Sequence, residues 1–132
     1  MTTFASARLE HVNITVASPE RTAEMLCKLF GWHIRWSGPS KGGGRTIHVG
    51  DDDAYIAVYN PNAELGQGVT SYERPGGLNH IAVVVPDLDA TEQRALAAGY
   101  RTHSHGDYEP GRRFYFHDAD GIEFEVVSYA RS

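Results

Sequence analysis

Residues 9–16 alternate between apolar and polar side chains. Val12, Ile14 and Val16 share one face; His11, Asn13 and Thr15 share the other. A period of two predicts a strand with one side buried. The pattern then becomes helical. Ser18 is a natural N-cap and Pro19 suits the first turn. Glu20 and Glu24 favour the helix N-terminus, and Lys28 favours the C-terminus. Ala23, Leu26, Leu29 and Phe30 make an apolar stripe that ends at Gly31. A helix over 19–30 is therefore predicted to cover the Val12/Ile14/Val16 face. Short strands are expected at 32–36, 45–49 and 55–59, with a flexible loop over Ser40–Gly44 between the first two. Asp51, Asp52 and Asp53 read as a solvated turn, because their spacing is not that of a calcium loop.

The same pattern then recurs. Glu10-His11-Val12-Asn13-Ile14-Thr15-Val16 is matched by Asn79-His80-Ile81-Ala82-Val83-Val84-Val85, with the two histidines 69 positions apart. Asp87 caps a second helix running to about residue 98, and Gly99 stops it. Strands are predicted at 79–85, 100–104, 113–117 and 122–128, with a loop over 105–112 and a turn at Asp118–Gly121. The order is β-α-β-β-β, twice. The expected architecture is α+β, with residues 1–60 as the first module, 61–77 as a linker and 78–132 as the second. Each sheet carries its helix on one face and polar residues on the other, concave face. The two modules are expected to pair and form a cleft between those faces.

Composition narrows the class. A chain of 132 residues with 41% hydrophobic and 22% charged residues is an ordinary globular protein. Its formal net charge is −5 and its only basic doublet is Arg112-Arg113, which argues against a nucleic-acid partner. No window approaches the roughly 20 apolar residues of a membrane span, and no secretory signal is evident. One cysteine, Cys27, excludes an internal disulfide and a cysteine-built zinc site, so a cytoplasmic protein is expected.

The candidate chemistry lies on the polar faces. His11 and His80 occupy equivalent positions of the repeat, each opposite the helix-facing set. In the last strand Glu123, Glu125 and Val127 oppose Ile122, Phe124 and Val126. Two imidazoles and one carboxylate are the ligand set of a divalent metal with open positions, such as non-haem Fe(II) or catalytic zinc. Parity admits either glutamate.

Three segments carry a family resemblance: LEHVNITV around His11, GLNHIAVVV around His80, and FYFHDADGIEFEVV near the end. Together they resemble the vicinal oxygen chelate superfamily, which holds glyoxalase I, bleomycin- and fosfomycin-resistance proteins and extradiol dioxygenases. The last segment is similar to that family's strand–DPDG–strand signature, with Ala119 where proline is usual. The signature's ligand stands four residues after the turn glycine, which is Glu125 here. The resemblance implies metal ligands His11, His80 and Glu125. The favoured metal is Fe(II), with Zn, Ni, Co or Mn as alternatives. It also implies a small substrate bound through two vicinal oxygens, and a homodimer.

In extradiol dioxygenases a tyrosine stands ten residues before the glutamate, and a histidine a little earlier. Tyr115 and His105 match, the histidine one residue off the usual spacing, and would act in catalysis by proton transfer. Glyoxalase I supplies a fourth ligand at the position of Ala57, where this chain has none to offer. Two further readings follow from the family: a lyase or isomerase of glyoxalase type, or a metal-free drug-sequestering protein lined by Trp32, Trp36, Tyr55 and Tyr59.

Overall fold

In the computed structural model, described over residues 8–40, 43–66, 72, 75, 77–108 and 111–129, the strict alternation becomes β1 (His11–Thr15). It leads into α1 (Pro19–Phe30), whose cap is the one the sequence predicts. The Arg21 amide donates to Ser18 Oγ at 3.2 Å, and Gly31 closes the helix in the left-handed region at φ 71°. Next come β2 (His33–Pro39), β3 (Arg45–Gly50) and β4 (Tyr55–Asn60). The second half repeats the order as β5 (Ile81–Val84), α2 (Leu88–Ala97), β6 (Thr102–Tyr108), β7 (Gly111–His117) and β8 (Glu123–Ser128). Asp87 Oδ1 accepts the Ala90 amide at 3.0 Å, which caps α2.

The chain divides into two units, Met1–Glu64 and Leu65–Ser132. Unit 1 has the strand order β1-β4-β3-β2, and unit 2 the corresponding order β5-β8-β7-β6. In each, the first strand pairs parallel with the last, and the other pairs are antiparallel. The class is α+β, as expected: two four-stranded mixed sheets, each with one helix.

Burial follows parity. In unit 1, Ile14, Ile47, Val49, Ile56 and Val58 form a core with Leu26 and Leu29 of α1. In unit 2, Phe114, Phe116, Phe124 and Val126 are fully buried on the side that α2 covers. Residues one position out of phase lie on the helix-free face of each sheet.

One expectation is corrected. Of the loop expected over 105–112, residues 105–108 belong to β6 and 111–112 to β7, while 109 and 110 lie outside the described residues. A bulge between His103 and Gly106, with Ser104 at φ 56°, lets the polar segment Ser104-His105-Gly106-Asp107 continue the ladder. Backbone hydrogen bonds hold this pairing, and no apolar alternation advertised it. Lys41 and Gly42 of the expected Ser40–Gly44 loop lie outside the described residues. So do 67–71, 73, 74 and 76 of the expected linker. The triple-aspartate segment is a turn, with Asp51 Oδ1 accepting the amides of Asp53 at 2.8 Å and Ala54 at 2.9 Å.

Candidate functional site

The helix-free face of unit 2 gathers ionisable and aromatic side chains. In register, Tyr115 stands opposite Glu125, His117 opposite Glu123, and Arg113 opposite Val127, so all five polar side chains share one face. β5 lies beside β8 and brings His80, one residue before its start, to the same face. The His80 Nε2 is 3.2 Å from Glu125 Oε1. Tyr115 meets the His80 ring edge-on, with centroids 5.9 Å apart.

Glu125 is only 8% exposed, and a carboxylate so buried requires compensation. Arg113 Nη1 donates to Glu125 Oε2 at 2.9 Å. That leaves Oε1 facing His80. Glu123 is engaged differently. Its Oε1 accepts from Tyr72 Oη at 2.6 Å and lies 3.9 Å from His80 Nδ1. Its Oε2 is 3.6 Å from His117 Nε2. Donation to Glu123 raises the Tyr72 phenol above its ordinary value.

A pocket of about 490 Å³ opens on this face, lined by Tyr72, His80, Ser104, His105, Gly106, Tyr115 and Glu123. His105 thus borders the same pocket as Tyr115, while its Nε2 lies 2.6 Å from Glu92 Oε2 on α2. Burial raises the Glu92 carboxyl, but hydrogen bonds from Thr102 and His105 outweigh it and hold the group below the usual carboxylate range. Arg112 is one residue out of phase and pairs with Asp89 of α2 at 2.9 Å.

The helix-free face of unit 1 is aromatic. His11 stacks on Tyr55, with ring centroids 4.7 Å apart, and Tyr55 stacks on His48 at 4.4 Å. Trp36 leans on His48 at 5.0 Å, and the Arg35 guanidinium lies 4.7 Å from the Tyr55 ring centroid. Burial first, then the nearby His11 and Arg35, lowers the His48 imidazole below its ordinary value. Ala57 lies between His48 and Asn13 in register. Trp32 instead contacts Phe30 at the end of α1.

Of the residues proposed from sequence, His80, Glu125 and Tyr115 are together, His105 borders their pocket, and His11 belongs to unit 1. Sequence reasoning missed Arg113 as the partner of Glu125, and Tyr72 as the partner of Glu123. It also missed His103 and His117, whose Nε2 and Nδ1 atoms are 3.3 Å apart. Strand parity about Phe114 and Phe116 was the available signal for His117.

The His80–Glu125 pair passes a simple fit test for a divalent metal. Two donors about 2.1 Å from one ion, at angles between octahedral and tetrahedral, are separated by roughly 3.0–3.4 Å. The observed 3.2 Å falls within that span.

Solved structures share the fold. The glyoxylase/bleomycin resistance protein/dioxygenase domain of Frankia sp. EAN1pec is 21% identical with a TM-score of 0.79, covering 97% of this chain and 96% of that one. TnmS3, an antibiotic binding protein from Streptomyces sp. CB03234, is 18% identical with a TM-score of 0.74, covering 97% and 100%. The fosfomycin resistance protein FosX from Listeria monocytogenes, complexed with Mn(II) and sulfate, is 20% identical with a TM-score of 0.69, covering 94% and 93%. No curated protein matches the chain. Residues 8–126 fit a single family description. With the duplicated β-α-β-β-β units, that match makes the chain a member of the Glyoxalase/Bleomycin resistance protein/Dioxygenase superfamily.

Proposed function

We propose that this protein is a divalent-metal-dependent enzyme acting on a small oxygenated molecule, with His80 and Glu125 as ligands. The observation that carries the reading is the 3.2 Å approach of His80 Nε2 to Glu125 Oε1 at the edge of a pocket. Supporting features surround it. Arg113 holds Glu125 Oε2, so the carboxylate presents one defined oxygen. The His80 Nδ1 has Tyr72 Oη at 3.5 Å, a contact that orients the ring. A bound Fe(II), or Mn(II), Zn(II), Ni(II) or Co(II), supplies Lewis acidity toward substrate oxygens, and Fe(II) adds dioxygen chemistry. The choice of Glu125 over Glu123 rests on its deeper burial and its closer approach to His80.

The chain's own groups then handle protons. Tyr115 lies edge-on to His80 and borders the pocket, a position from which it would hydrogen-bond a substrate oxygen. His105 is paired through Nε2 with Glu92, which fixes its tautomer and leaves Nδ1 for proton transfer in the pocket. An extradiol-type cleavage uses such a pair with Fe(II); a lyase or isomerase uses the same pair with a redox-inert ion.

A metal-free binding protein is the second reading, and the stacked His11–Tyr55–His48–Trp36 array favours it, since such a surface suits a planar ligand. Metal analysis of protein purified without chelators separates the two. The enzyme reading expects His80→Ala and Glu125→Ala each to lose one equivalent of metal per chain, and metal-dependent turnover in a screen of catechols followed by oxygen uptake. Equal metal content in wild type and both variants, with EDTA-insensitive ligand binding, refutes it.

A further inference from the structure

We infer that unit 2 carries a second metal site, built by His103, His117 and Glu123 and separate from the His80–Glu125 pair. One donor atom from each of the three residues lies within 4.8 Å of the other two. His117 stands between the other two: His103 Nε2 is 3.3 Å from its Nδ1, and Glu123 Oε2 is 3.6 Å from its opposite nitrogen, Nε2. Small side-chain rotations bring such a trio to a common ion. Two imidazoles and a carboxylate select a borderline transition ion such as Zn(II), Ni(II) or Cu(II) over Mg(II) or Ca(II).

Two of the three ligands are backed by a neighbour that occupies the other polar atom. The His103 Nδ1 lies 2.8 Å from Ser104 Oγ, which directs Nε2 toward His117. Tyr72 holds Glu123 Oε1, leaving Oε2 on the His117 side. Metal-binding histidines and carboxylates are commonly held in this way by outer partners. The β6 bulge supplies the backbone support. Ser104 sits at φ 56°, a region few non-glycine residues adopt, between the two register positions that flank the irregularity. Bulges of this kind re-aim a side chain beside a functional site. The site shares no ligand with the pair used in the proposed function, so it stands or falls independently.

Calorimetric titration of chelator-stripped protein with Zn(II) tests it, reading the number of equivalents bound per chain. Wild type is expected to bind one more equivalent than His117→Ala and one more than His103→Ala. His80→Ala keeps the equivalent that these two variants lose. Ser104→Gly, which suits the backbone and removes the hydroxymethyl group, weakens that equivalent by roughly tenfold. Circular dichroism checks folding, and if one histidine variant misfolds the other carries the comparison. Unchanged stoichiometry and affinity in the folded histidine variants overturn the inference. So does a single equivalent lost alike from His80→Ala and His117→Ala, which means one shared site. An equivalent lost from His117→Ala but none from His80→Ala upholds this site and removes the support for metal at His80.

Discussion

Replacing Arg113 by alanine isolates the electrostatics of the buried carboxylate. The Arg113 and Glu125 side chains are 13% and 10% exposed, and their ion pair is 2.9 Å long, so solvent screens it weakly. Removing one partner of a buried pair costs about 3–5 kcal/mol, mostly from the charge left behind. His80 Nε2 stays 3.2 Å from the other oxygen and offsets part of this, which favours the lower end, about 3 kcal/mol. For 132 residues an unfolding entropy of about 2.1 cal/mol/K per residue converts this to a Tm loss of roughly 10 °C. The assay is thermal unfolding of wild type, Arg113→Ala and Arg113→Lys in EDTA, repeated with excess Mn(II). Because a divalent cation beside Glu125 replaces the missing positive charge, Mn(II) should recover most of the loss in Arg113→Ala. A variant within about 0.5 kcal/mol of wild type in EDTA refutes the argument that Glu125 is a charge needing compensation.

Three further measurements follow from the packing. Phe116 is fully buried and stacked on Phe124 with centroids 5.3 Å apart, so Phe116→Ala should cost about 3–5 kcal/mol in urea unfolding. A cost under about 1 kcal/mol contradicts the assigned core. Asn60 donates to the carbonyls of Val16 at 2.8 Å and Ala17 at 3.1 Å, tying β4 to the strand-to-helix turn. Asn60→Ala should lose about 1–3 kcal/mol by leaving buried backbone groups under-satisfied, and an unshifted urea midpoint rules this out. Glu92 has a lowered carboxyl pKa when folded, so its stabilisation is full above the unfolded value near 4.3 and fades as pH falls through the folded value. The Tm gap between wild type and Glu92→Gln should therefore be widest near neutrality and close at low pH; a gap undiminished at pH 3 contradicts that linkage.

Much of the fold was legible because the apolar positions keep one period through each element. Val12, Ile14 and Val16 announce β1, and Ser18, Pro19 and Gly31 punctuate α1. The β6–β7 pairing was hidden because Ser104, His105, Gly106 and Asp107 offer no apolar alternation, and a bulge breaks whatever parity they had. The site was partly legible for the same reason. His80 and Glu125 could be assigned to a face from their own strands. The Arg113–Glu125 pair needed the β7–β8 register, which the Asp118–Gly121 turn fixes by setting His117 opposite Glu123. Tyr72 lay in a segment without periodicity, and its bond to Glu123 depends on tertiary placement that no local pattern encodes.

The parallel pairing of β5 with β8 has a consequence for kinetics. His80, one residue before the first strand of unit 2, waits for the last, since α2 and the β6–β7 hairpin intervene before Glu125 arrives on β8. Any ion clasped by the two would act as a latch across that seam. Its escape and the peeling of the edge strand β5 from β8 would then be one opening event, so the off-rate of the ion would report the local breathing of a single strand.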